Sequence, residues 1–339
     1  MSLRARMRSL HLLPWLCLLA LLVLPAASRA GDESAGTRAA AFLSTGVGPS
    51  VLAMGGAALA SGRDVQGAAW NTAALGWVGA PQFALAHASF ADQSSQEWAA
   101  YAGRLGTGPW RYGVAGLYRA EGDIEGRDAA NHPTGALSAY GFALSLQLAR
   151  VVGDHLSVGG AAHLVRQQIA DAAGNGLAFD AGAQVHLGLM SFALAGQNFG
   201  GGMLWDGAHW RMPATFGGGI ALEHPASGLR VALDYRRPAD QTASVRSGAE
   251  WRIADRFALR AGYRAQLSAP ATDTRSGPTF GLGAAAGAFW IDYGYLVDGD
   301  GTGEHRVGLS LRGFALMHAG AAAGTEDPAT LPGPPAPKQ

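Results

Sequence analysis

Tyr140-Gly141-Phe142-Ala143-Leu144-Ser145-Leu146-Gln147 alternates a large side chain with a small or polar one, without a break. Successive side chains of a strand point to opposite faces, so Tyr140, Phe142, Leu144 and Leu146 share one surface and Gly141, Ala143, Ser145 and Gln147 the other. A helix would mix the two sets around its axis. Leu177, Phe179 and Val185 oppose Asp180, Gln184 and His186 in the same way. A wall with one apolar face and one small or polar face fits a membrane barrel, apolar side to lipid, or one sheet of a soluble β-sandwich.

The pattern extends in both directions. Fourteen alternating segments are predicted, at 82–90, 96–105, 110–119, 136–150, 155–170, 177–188, 189–199, 214–224, 228–237, 242–253, 256–267, 278–287, 288–297 and 304–314. An even number suits a bacterial outer-membrane barrel with both termini on one side. The connections supply a second test. Those at 120–135, 200–213 and 268–277 are long and all fall at the same end, whereas the opposite end has only short turns. Short periplasmic turns and longer outer loops are the habit of such barrels, and a sandwich has no reason to sort its loops this way. The predicted fold is therefore an all-β, 14-stranded antiparallel transmembrane β-barrel of the outer membrane. Trp98, Trp110, Tyr118, Tyr140, Trp251 and Tyr295, near strand ends, are expected to form an interfacial girdle.

Charges on the small-residue face gather late in the chain. Arg230, Asp234 and Arg236, then Arg246, Glu250 and Arg252, then Arg256, Arg260 and Arg264, with Asp292, Arg306 and Arg312 later, read as a lumen ladder. Asp234 and Glu250 fall among arginines whose planar forks match carboxylates. Such a ladder rigidifies the wall, and its surplus of arginine also suits an anionic headgroup.

The ends of the chain read differently. Arg4, Arg6 and Arg8 precede an apolar run over 10–24 and the small-residue stretch Pro25-Ala26-Ala27-Ser28-Arg29-Ala30, the pattern of a signal peptide (1–30) cleaved after about Ala30. Cys17, the only cysteine, lies inside that run, so no disulfide or thiol chemistry is expected of the mature chain. Residues 31–80 read as a lead-in and plug, 81–314 as the barrel, and 315–339 as a disordered Ala/Gly/Pro-rich tail. Lysine plus arginine equals aspartate plus glutamate at 25 each, and no basic patch points to nucleic acid. There is no Gly-x-Ser-x-Gly elbow, Walker loop, His-Glu-x-x-His or cysteine pair, so no enzyme, metal or cofactor is expected. Asp298-Gly299-Asp300-Gly301-Thr302-Gly303-Glu304 spaces its oxygens as a calcium loop does, but without the rest of that motif it reads as a polar hairpin.

One stretch, 42–77, is both glycine-rich and apolar. Gly46, Gly48, Gly55, Gly56, Gly62 and Gly67 alternate with Val51, Leu52, Met54, Leu59, Trp70 and Leu75, which must bury themselves against something. The barrel interior is the available place. Phe42-Leu43-Ser44-Thr45-Gly46-Val47-Gly48, Ala53-Met54-Gly55-Gly56-Ala57 and Ala69-Trp70-Asn71-Thr72-Ala73-Ala74-Leu75 together resemble the N-terminal signature of the PorV/PorQ family of outer-membrane proteins, which are similar to FadL-type barrels. The segment 304–314, ending Leu311-Arg312-Gly313-Phe314, resembles the family's last strand. The chain departs from the family with Thr72 where the usual motif has proline, and with about 25 residues after the terminal aromatic.

The resemblance implies a non-enzymatic transport or secretion component, working either in type IX secretion or as a FadL-like uptake channel for hydrophobic compounds such as fatty acids. It implies a plug or ligand site at Met54, Gly55, Gly56, Leu59, Trp70, Asn71 and Leu75. On the uptake reading, Met54, Leu59, Trp70 and Leu75 line an apolar pocket. On the secretion reading, loops 120–135 and 200–213 hold a cargo protein. The implied partners are outer-membrane lipid, the barrel-assembly machinery at the last strand, and a hydrophobic ligand or secreted cargo.

Overall fold

The computed structural model describes residues 38–313, apart from 123, 268–274 and 300. The signal peptide, residues 31–37 and the 315–339 tail lie outside the described residues. Strands β1 (Gln82–Ser89), β2 (Ser95–Arg104) and β3 (Trp110–Ala120) lead to a small outer hairpin, β4 (Ile124–Arg127) and β5 (Pro133–Leu137). Next come β6 (Ala139–Val152), β7 (Leu156–Ile169), β8 (Ala172–Leu187), β9 (Met190–Trp205) and the short β10 (Ala208–Trp210). The remainder are β11 (Thr215–His224), β12 (Leu229–Pro238), β13 (Ser244–Ile253), β14 (Phe257–Gln266), β15 (Gly277–Ala286), β16 (Phe289–Val297) and β17 (Gly303–Arg312).

With β4, β5 and β10 set aside, fourteen strands form one antiparallel wall in chain order, each expected segment supplying one. The wall closes where β17 meets β1, from Gln82 opposite Arg312 to Ser89 opposite His305. Closure has a physical cause. A sheet edge in hydrocarbon leaves backbone groups with no water to bond, at several kcal/mol each, and only a closed ring removes both edges.

The connections at one end are all brief: 105–109, 153–155, 188–189, 225–228, 254–256 and 287–288. The longest, 121–138, 206–214 and 267–276, share the other end. The outer face is apolar, with Leu146, Leu282 and Ile291 each more than half exposed. Among the described residues no helix is long and apolar enough to cross a membrane; this chain crosses with strands.

Two assignments change. Trp98 was expected in the girdle, but β2 turns Gln96, Trp98 and Ala100 inward, and Trp98 is buried in the lumen. Arg256 was expected in the lumen ladder, but it sits exposed in the turn between β13 and β14.

Candidate functional site

The stretch from residue 38 to 78 runs through the barrel from end to end. It starts at the long-loop end, where the Ala39 amide donates to the Arg211 carbonyl and the Ala40 amide to Gln167 Oε1. It reaches the short-turn end, where Asp64 pairs with Arg312 (3.1 Å) and Arg63 with Glu223 (3.3 Å). The chain then folds back, bringing Trp70 beside Gly46, before Val78 takes a hydrogen bond from Arg111. Four short helical turns, Ala41–Ser44, Pro49–Leu52, Val65–Ala68 and Thr72–Trp77, give this inner segment its shape. The last two are capped by side chains, Asp64 accepting from the Gly67 amide and Asn71 from the Ala73 amide.

Inward-facing glycines receive the segment. A Cβ on Gly248 would stand 2.3 Å from the Met54 carbonyl oxygen, and one on Gly262 2.3 Å from the Gly55 nitrogen. Gly141 meets the Phe42 ring, Gly159 the Thr72 backbone, Gly182 the Asn71 carboxamide, Gly219 Leu59, and Gly308 Pro49. The fit is reciprocal. Gly55 and Gly56 hold positive φ (69° and 79°), and side chains there would strike the Ser247 carbonyl and the Arg246 guanidinium.

Polar clamps fix the register. The Gly55 amide donates to Thr279 Oγ1 (2.8 Å), whose hydroxyl donates to the Ala53 carbonyl (2.9 Å). The Leu59 amide donates to Asp234 Oδ2 (2.8 Å). Asn71 Nδ2 donates to the Leu59 and Ala183 carbonyls, and Gln184 Nε2 to those of Ala60 and Gly62. These pairings matter because a buried carbonyl or amide left without a partner costs about 1–3 kcal/mol.

The charge ladder divides into two parts. Near the short turns, Glu223, Arg230, Glu250, Arg260 and Asp292 form a continuous chain, with Arg260 bonded at 2.7 Å to both Glu250 and Asp292. The cross-strand register produces it, since Arg230 lies opposite Glu250 and Glu250 opposite Arg260. Farther along, the expected pairing of Asp234 with arginines is replaced by its bond to Leu59. Arg236 and Arg246 instead lie over the Trp70 ring, 4.9 and 5.4 Å from its centroid.

The expected apolar pocket lined by Met54, Leu59, Trp70 and Leu75 takes another form. Met54, Leu59 and Leu75 are spent on wall packing, Leu75 against Gly113. Trp70 alone of the four lines a lumen cavity of about 70 Å³, together with Leu43, Val47, Trp98, Leu117, Ser145, Gln147, His163, Asp180, Gln197, Asn198 and Arg236. Ser145 Oγ lies 2.7 Å from His163 Nδ1, and His163 Nε2 lies 3.0 Å from Asp180 Oδ1. Asp180 lies on the polar face of its segment with no role legible in the sequence, and nothing local marks Gln197 and Asn198 as site residues. The cavity volume holds roughly two waters at ~30 Å³ each, and is about half the ~150 Å³ of a cavity known to admit benzene. Any larger ligand must move part of the inner segment.

Behind this cavity the wall is interrupted. The β8–β9 pairing slips between Leu177 and Phe179 and again between Phe179 and Ala181, whose partners are Gly202, Phe199 and Gly196. Three residues of β9 face two of β8 in each step, a pair of β-bulges. Asn198 takes a positive φ (52°) there, and its freed amide donates to Asp180 Oδ1 at 2.7 Å. The glycine run Gly200-Gly201-Gly202 was the sequence signal, and it reads more naturally as a loop than as a bulged strand. Outside, Phe179 and Phe216 face the membrane and Phe199 stacks on Phe216.

No protein-family model and no curated protein matches the sequence. The fold has solved relatives, and they are FadL-type outer-membrane barrels. The Ralstonia pickettii toluene transporter TbuX is 16% identical over 79% of this chain and 99% of its own, with a TM-score of 0.57. The monoaromatic hydrocarbon channel CymD is 15% identical over 80% and 99%, at 0.59. A Pseudomonas aeruginosa FadL homologue is 11% identical over 76% and 94%, at 0.50. At these identities the likeness establishes the shared fold, a closed fourteen-stranded barrel of outer-membrane type.

Proposed function

We propose that this chain is an outer-membrane uptake channel for small hydrophobic or amphipathic molecules, with residues 38–78 as its plug. The observation that carries this reading is the coincidence of cavity and wall defect: Asp180, Gln197 and Asn198 line the cavity and also form the β8–β9 interruption. The doubly bulged stretch is the irregular part of the described barrel pairing, and it lies between the cavity and the bilayer. The printed descriptions of the structural relatives, a toluene transporter and a hydrocarbon channel, support the same reading. On it, lipid surrounds the apolar belt and the barrel-assembly machinery reads the last strand. The type IX secretion alternative suggested by the PorV/PorQ resemblance has less support, because the solved barrels of similar fold are described as a transporter and a channel.

The test is a lock on the wall. Phe179 and Phe199 are Cα partners across the interruption. Cysteines at both positions, oxidised to a disulfide, should reduce uptake of labelled toluene or fatty acid to the level of cells lacking the protein, and a reductant should restore it. Uptake no higher than in cells lacking the protein, with or without the lock, would sink the proposal.

A further inference from the structure

Building on the uptake reading, we infer that the lumen cavity recognises a compact aromatic carboxylate, with Arg236 as its counter-ion. Most inward-facing arginines of the wall have a carboxylate beside them. Arg230 and Arg260 share Glu250, Arg264 has Asp298, Arg306 has Glu304 and Arg312 has Asp64. Arg236 is buried yet has no ion-pair partner among the described residues; its guanidinium donates to Gln197 Oε1 and lies over Trp70. Arg246, over the same ring, lies opposite Asp234 in the β12–β13 register but makes neither ion pair nor hydrogen bond among the described residues, and Asp234 is held by the Leu59 amide instead. Buried cations are held with an anion where one is to be had, because an uncompensated charge away from water is costly. The one carboxylate lining the cavity, Asp180, accepts the Asn198 amide and lies 3.0 Å from His163 Nε2; it makes no ion pair with Arg236.

The remaining lining describes the rest of the ligand. Trp70, Trp98, Leu43, Val47 and Leu117 are the large apolar side chains of the lining that also holds Arg236. A bare hydrocarbon would use that surface and leave the polar groups unmatched, at the cost that makes hydrogen-bonding sites reject ligands lacking the group. A carboxylate fits the present 70 Å³, and the attached ring exceeds it, so the inner segment has to give way locally to admit the ring. A long alkyl chain would have to displace much more.

The measurement is calorimetric titration of detergent-purified full-length protein with benzoate, benzamide, toluene and dodecanoate. Benzoate should bind at least about tenfold more tightly than benzamide, its uncharged counterpart. Arg236→Gln should abolish that preference. Gln197→Glu places an internal carboxylate against Arg236 without removing the arginine, so it should fold normally and still lose benzoate. Benzoate affinity unchanged in Gln197→Glu, or equal affinity for benzoate and benzamide, would overturn the inference; so would dodecanoate binding as tightly as benzoate. Toluene bound without benzoate overturns the carboxylate assignment alone and leaves the uptake reading standing, whose own test is the wall lock.

Discussion

Gly262 and Gly248 are two of the places where barrel wall and inner segment meet with no wall side chain between them. The atoms that would meet a new Cβ are backbone atoms of Met54 and Gly55, which cannot swing aside as a long side chain can. Gly262→Val is therefore expected to lose about 1–3 kcal/mol, the usual range for overpacking, and to unseat the segment. Thermal unfolding in detergent measures the first effect, and ion conductance in planar bilayers the second. Gly116 is the control, since nothing lies within 4 Å of a Cβ there; Gly116→Ala should change neither readout. A Gly262→Val protein as stable and as closed as the parent would contradict the tight seating.

At the scale of elements, the ion chain links β11, β12, β13, β14 and β16 through the buried side chains of Glu250, Arg260 and Asp292. Glu250 holds its centre, with Arg230, Arg252 and Arg260 around it. Glu250→Ala strands those guanidinium groups and should cost about 3–5 kcal/mol, the range for breaking a buried pair from one side. The same substitution at Glu125, whose pair with Arg127 lies exposed on the β4–β5 hairpin, should cost no more than about 1 kcal/mol. Unfolding midpoints of the two variants in urea and detergent compare them directly. Equal losses would mean that the chain does not brace the wall.

At the scale of the whole molecule, the outward apolar belt and the closed hydrogen-bond ring make this a protein of the bilayer. It should fractionate with outer membranes, need detergent for extraction, and migrate differently on gels before and after boiling, because the closed sheet resists detergent until heated. Extraction without detergent, with no change on boiling, would return the chain to the soluble-sandwich reading. The full-length passage of residues 38–78 adds a second expectation. The parent protein should conduct ions weakly in planar bilayers, and deleting 42–77 should raise conductance, since the wall residues left behind are small or polar.

Spacing along the chain was enough to specify the wall. Period-two alternation is a local property, so fourteen strands, their lipid face and the sorting of long and short connections could all be read from spacing. It also marked 42–77 as a segment needing an interior, because apolar residues among glycines have no stable place in water. What meets what across the lumen depends on the assembled barrel. Trp98 turned inward because β2 register is set by its neighbours, and Asp234 took the Leu59 amide because the inner segment brings that amide within 2.8 Å of its carboxylate. Arg236 was left with Trp70 and Gln197, and the Asn198 bulge opened beside Asp180, through contacts between residues far apart in the chain. Those contacts depend on register and on how one segment threads a closed ring, neither of which has a local signature.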